Sequence, residues 1–239
     1  MYGLGTIINV AAIIAGGLFG FLFGKFLKEQ HQDSLTKVCG ICVLFVGIAG
    51  ALEGMLTIDG GGIKSGGSLL VIGCLAIGTL IGELLNIEGL FERFGEWLKI
   101  KTGSSKDKQF VEGFVTASLT VSIGAMAIVG AIQDALLADI STLVTKAILD
   151  LIIIMVMTCS MGKGCIFSAI PVGVLQGSVT ALAVLIKPLM TTAALANISM
   201  IGTILIFCVG LNLVWGKRVR VANMLPAIII AVAAAFLPI

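Results

Sequence analysis

The chain has 239 residues, of which 58% are hydrophobic types and only 12% are Asp, Glu, Lys or Arg. A water-soluble domain carries about 25% charged residues, so this composition, with a mean hydropathy of +1.15, excludes a soluble globular protein. The net charge of +2 supplies no basic field for nucleic acid.

A hydrocarbon core about 30 Å thick needs roughly 20 apolar helical residues. Eight runs meet or approach that length, at 5–27, 36–57, 67–87, 110–134, 142–160, 164–186, 196–215 and 222–238. The expected fold is therefore all-α and polytopic, a single transmembrane domain over 1–239 with about eight spanning helices. The first run lacks the cleavage site of a secretory signal and reads as a span.

Segment 1 carries Asn9 and the series Gly16, Gly20, Gly24. This spacing lets helices approach closely, and Gly50/Gly54 and Gly78/Gly82 repeat it. It serves packing within the chain or self-association, and a homo-oligomer through these glycine faces is the expectation. Cys39-Gly-Ile-Cys42 opens segment 2 with metal or redox spacing. No His or acidic partner lies in that run, so all six cysteines read as small hydrophobes. No cofactor is implied.

Between segments 3 and 4, Leu90, Phe91, Phe94, Trp97 and Leu98 fall on one helical face opposite charges. Such a helix lies along the membrane interface. Segment 4 brings Thr116, Ser118, Thr120 and Ser122 within seven residues, then Gly124, with Gln133 and Asp134 near its end. The hydroxyls either bond back to their own backbone or form a hydrated, substrate-facing wall.

Segment 5 buries Asp150 one turn after Lys146. An unpaired charge in hydrocarbon costs several kcal/mol, so the pair is either structural or a proton- or cation-coupling carboxylate. Segment 6 contains Ser168, Pro171 and Gln176. Proline interrupts a helix, and a broken helix carrying Gln176 at mid-membrane points to a central binding site. Segment 7 adds Asn212. The candidate set for a solute or ion is thus Asp150, Gln176, Ser118, Ser122, Gln133, Asp134, Pro171, Asn9 and Asn212.

Lys and Arg remain on the cytoplasmic side of a membrane. Twelve lie in odd-numbered loops, whereas the even loops and segment 5 hold only Lys64, Lys146 and Lys187. This predicts odd loops inside and both termini outside. Segments 2 and 7 align through Phe45 and Phe207 and their flanking glycines. Matching segments 1–3 with 6–8 across five crossings inverts the second copy. That expectation divides the chain into units 1–90 and 163–239 flanking a central pair at 110–160.

Gly124 to Gly130-Ala-Ile-Gln-Asp134, Leu149-Asp150, Gln176-Gly177-Ser178, Gly210-Leu-Asn-Leu-Val and Arg220-Val-Ala-Asn-Met-Leu-Pro226-Ala together resemble the YqgA/YdfK-like bacterial membrane proteins. The resemblance covers nearly the whole chain, with Ala135 where a glycine is expected. It implies a bacterial cytoplasmic (inner) membrane protein of unknown function, and it transfers no site residues.

No histidine lies in a span and no P-loop occurs, so the chain is not expected to be an enzyme or an ATP-driven pump. The leading expectation is a secondary transporter for a small solute or ion, in contact with the lipid bilayer. The alternatives are an oligomeric channel and a non-transporting scaffold.

Overall fold

A computed structural model describes residues 3–59, 62–123 and 125–236. The chain is almost entirely helical. Its helices are α1 (Leu4–Gly24), α2 (Glu29–Met55), α3 (Ser68–Leu85), α4 (Ile87–Lys101), α5 (Phe110–Ser122), α6 (Ala125–Leu137), α7 (Ser141–Met161), α8 (Ala169–Ala181), α9 (Ala183–Ile186), α10 (Thr192–Trp215) and α11 (Pro226–Ala234). Tight 3₁₀ turns precede α8 (Lys163–Ser168) and α11 (Val221–Met224). One antiparallel hairpin, β1 (Leu56–Asp59) and β2 (Gly62–Ser65), caps the connection from α2 to α3, with Leu56 opposite Ser65.

Among the described residues, six helices are long and apolar enough to cross a membrane. A seventh span forms if α5 and α6, bent by 60° at their junction, count as one. The expected eighth segment is shorter, an apolar helix over Val221–Ala234. At α1 the glycine N-cap Gly3 sits at φ 81, a left-handed conformation that glycine adopts without strain.

Glycine contacts set the helix pairs. A Cβ on Gly16, Gly20 or Gly24 would strike the backbone of Leu151, Met155 or Cys159 respectively. Both series advance by four residues, so α1 and α7 run parallel in close contact. Gly40, Gly47, Gly50 and Gly54 of α2 meet Val214, Phe207, Thr203 and Met200 of α10, an antiparallel pair. Gly78 and Gly82 of α3 meet Ala227 and Asn223, again antiparallel. Gly3, Gly173 and Gly17 place α1 antiparallel to α8 through Thr180, Val10 and Ile166.

Of the two uses expected for these glycine faces, packing within the chain is the one observed. They are consumed inside one chain. Lipid tails are as apolar as leucine, so close van der Waals packing, not hydrophobic burial, holds such helices together. A glycine stripe is used wherever two backbones of one chain must meet.

The helix expected around residues 90–99 is α4. Its Phe94 and Trp97 rings stack at 5.7 Å, and Phe94 meets Phe114 of α5 edge-on at 5.8 Å. The segment after α10 locks onto the α3–α4 corner. Arg220 pairs with Glu83 at 3.1 Å, Lys217 bridges Glu88 and Glu92 at 2.6 Å each, and Asn223 Oδ1 accepts the Glu88 backbone N–H at 2.7 Å.

Candidate functional site

The helix break between α5 and α6 organises the membrane interior. Ile123 takes extended geometry (φ −81, ψ 126) and ends α5; Gly124 lies outside the described residues. Thirteen residues from Phe110 raise the chain by about 19 Å, short of a hydrocarbon core of about 30 Å, so a span that begins there is interrupted partway. Its last carbonyls have no partners within the helix, and such orphans are costly away from water.

Lys146 of α7 meets that need. Its Nζ donates to the Val121 carbonyl at 2.8 Å and to both Asp150 carboxylate oxygens at 2.9 and 2.7 Å. Lys146 and Asp150 are both buried. They interrupt a stripe along α7 otherwise formed by Leu143, Ala147, Ile154, Met157 and Met161. Asn9 of α1 lies beside the Asp150 carboxylate, although neither of its own amide atoms makes a hydrogen bond. The ammonium thus offsets both a full negative charge and the negative end of a half-helix. Ser122, the last residue of α5, adds a buried hydroxyl without a partner.

Three other candidates have hydrogen-bond partners close by in the chain. Ser118 is fully buried and donates to the Phe114 carbonyl at 2.6 Å, and Thr120 likewise donates to Thr116 at 2.8 Å. The hydroxyls of segment 4 therefore satisfy themselves along their own helix, and only Thr116 reaches a cavity. Gln133 accepts from the Thr142 hydroxyl at 2.7 Å and braces the α6–α7 turn. Asn212 accepts from the Arg218 and Val219 backbone N–H groups and donates to the Val219 carbonyl, which shapes the turn after α10.

Pro171 is a correction. It is the third residue of α8, directly after the 3₁₀ turn, and the chain runs on as regular helix through Gln176. A proline in the first turn removes an N–H that has no intrahelical partner anyway, so it costs little and makes no kink. The interruption expected in segment 6 lies instead in segment 4. Ile123-Gly124 was its signal, a β-branched residue and a glycine inside an apolar run.

The remaining candidates lie where the N-terminal end of α1 meets α8 and the C-terminal end of α6. Asp134 is fully buried and its Oδ2 accepts the Gly5 backbone N–H at 2.8 Å. Gln176 is fully buried, with no hydrogen-bond partner at either amide atom. Thr6, next in the chain to Gly5 and without a sequence signal of its own, has an unpartnered buried hydroxyl.

A cavity of about 520 Å³ opens among the basic loops. Asp33, Lys37, Glu92 and Lys217 surround it, and Thr116, Leu119 and Asn212 line it further in. Asp150, Gln176 and Ser118 do not line it. From Leu119 at the cavity to Val121, whose carbonyl meets Lys146, the α5 axis rises only about 3 Å.

No solved structure matches the chain significantly. An uncharacterized membrane protein of Bacillus subtilis, YdfK, is 31% identical over 226 residues, covering 95% of this chain and 93% of its own length. An uncharacterized protein of Escherichia coli, YqgA, is 28% identical over 232 residues, covering 95% and 94%. The family model described as "Protein of unknown function (DUF554)" matches residues 4–236. With apolar helices throughout and a family match across nearly all of its length, the chain is a polytopic membrane protein belonging to the DUF554 family.

Proposed function

We propose that the chain is a secondary transporter for a small solute or ion in the bacterial cytoplasmic membrane, with its cavity facing the cytoplasm. The observation that carries this reading is the broken α5/α6 span, whose interrupted end meets Lys146 and Asp150 in the membrane interior. Discontinuous helices at a membrane-buried site are how transporters present backbone charge to a substrate. A buried ion pair gives little net stability, because desolvation opposes the Coulomb attraction. A functional role therefore accounts for its presence better than stability does.

Two further features support it. Lys and Arg concentrate at the end that bears the 520 Å³ cavity, and the positive-inside rule assigns that end to the cytoplasm. The antiparallel pairs α1/α8, α2/α10 and α3/α11 match segments 1–3 with 6–8. A two-fold axis in the membrane plane brings equivalent helices together in this way. On this reading the termini face outward.

The test is uptake into proteoliposomes holding the full chain. The panel comprises radiolabelled sodium, potassium, chloride, phosphate, short monocarboxylates and small amines. At least one should enter saturably, and Asp150→Asn should abolish its entry without loss of folding. Unitary currents would identify a channel instead. Neither flux nor current across the panel would leave a scaffold as the better description.

A further inference from the structure

We infer that the junction of α1, α6 and α8 binds one hard monovalent cation of sodium's class, held by the Asp134 carboxylate and the neutral oxygens of Thr6, Asn9 and Gln176. The Lys146–Asp150 pair borders it through Asn9, and no step of the transport reading is needed for it.

Asp134, Asn9 and Gln176 are each 0% exposed. Asp134 Oδ2 accepts the Gly5 N–H, while its Oδ1 is buried without a partner. No ion pair among the described residues includes Asp134. The Thr6 hydroxyl and the side-chain amides of Asn9 and Gln176 are equally without hydrogen bonds. Buried polar groups in native proteins are nearly always satisfied, and a group of exceptions in one place calls for a water or ion as the missing partner.

The residues share a depth. The contacts of Gly3 with Thr180 and of Gly173 with Val10 set the α1–α8 register, which puts Gln176 level with Thr6 and Ile7. The Gly5–Asp134 hydrogen bond puts α6 at the same level. Asn9 is one turn deeper and also borders Asp150, so one amide joins this junction to the ion pair.

Charge selects the occupant. One carboxylate among neutral oxygens is neutralised by a single positive charge, and a net charge inside the membrane is costly. Calcium and magnesium are held by oxygen sets of higher charge. A proton on Asp134 would satisfy Oδ1 and one acceptor at most, leaving the others unpaired. A sodium-sized ion answers the unpartnered oxygens of Asp134, Thr6, Asn9 and Gln176, and leaves the amide N–H groups of Asn9 and Gln176 to other acceptors.

The experiment is thermal unfolding of the full-length protein in lipid nanodiscs, with sodium chloride exchanged for choline chloride at constant ionic strength. Sodium should raise the midpoint saturably. Thr6→Val and Gln176→Leu should each raise the sodium concentration for half-effect about tenfold, the loss of roughly 1.4 kcal/mol of ligand interaction. Asp134→Asn should abolish the response. Should that variant fail to fold through loss of its bond to Gly5, the two neutral variants decide. Equal midpoints in sodium and choline overturn the site, as does a sodium response undiminished in Thr6→Val and Gln176→Leu. A midpoint that follows pH and ignores sodium assigns a proton to Asp134 and also overturns it. Binding is read without any flux, so failure of the transport reading leaves this result distinct.

Discussion

Lys146 Nζ lies 2.8 Å from the Val121 carbonyl oxygen, so a charged side chain of α7 closes the broken end of α5. The same ammonium pairs with Asp150. One buried cation thus serves both a helix terminus and a carboxylate.

Removing one partner should expose that dependence. Lys146→Met leaves Asp150 buried and unpaired, which costs about 3–5 kcal/mol. Lys146→Met combined with Asp150→Leu should recover most of that stability while eliminating any transport. Reversible unfolding in mixed micelles, analysed as a double-mutant cycle, measures the coupling. Equal destabilisation by the single and double replacements would refute a direct pair.

The α1–α7 contact makes a second forecast. Gly20→Val places its side chain on the Met155 backbone and Thr158, and overpacking of this kind costs about 1–3 kcal/mol. Gly73→Val on α3, where nothing lies within 4 Å, should be close to neutral. The two unfolding free energies need only be compared with each other.

Asn223 should anchor α4. Its Oδ1 receives the Glu88 N–H at 2.7 Å, the role of a helix cap supplied from another part of the chain. Asn223→Ala should cost about 1 kcal/mol. Faster amide hydrogen exchange in the first turn of α4 is the diagnostic sign, with exchange in α7 unchanged.

Lys217 predicts an alkaline effect. Partial burial works to lower its pKa, but the hydrogen bonds and charges of Glu88 and Glu92 outweigh burial and raise it above the ordinary lysine value of 10.5. A folded-state pKa above the unfolded one stabilises at all lower pH, and the benefit is lost as pH rises through the raised value. The side chain is 53% exposed, so screening keeps the effect small. Melting curves above pH 10.5 should show a decline in the native protein that is absent in Lys217→Met.

Orientation is open to chemical labelling. In a background lacking the six native cysteines, Thr116→Cys should react with a membrane-impermeant maleimide applied from the cytoplasmic side. Reaction only from the opposite side would reverse the assignment of the cavity.

The spans were legible because each is a long apolar run, and hydrocarbon leaves helix as the simplest way to satisfy the backbone. Helix α4 was legible from the spacing of Leu90, Phe94 and Trp97. Asp150 and Lys146 announced themselves as charges one turn apart in an apolar segment. Pro171 misled because a proline's effect depends on its position in the helix. Its place in the first turn of α8 follows from a 3₁₀ segment that carries no strong local signature.

The sequence by itself determined that the chain lives in a bilayer, roughly where it crosses, and which few polar groups must find partners there. Tertiary structure decided who those partners are. The ammonium of Lys146 reaches a carbonyl 25 positions away, and Asp134 reaches Gly5 across 129 positions. Nothing local encodes such meetings. They arise because α1 lies close along α7 through its glycines, and only that packing sets the Lys146–Asp150 pair beside Asn9.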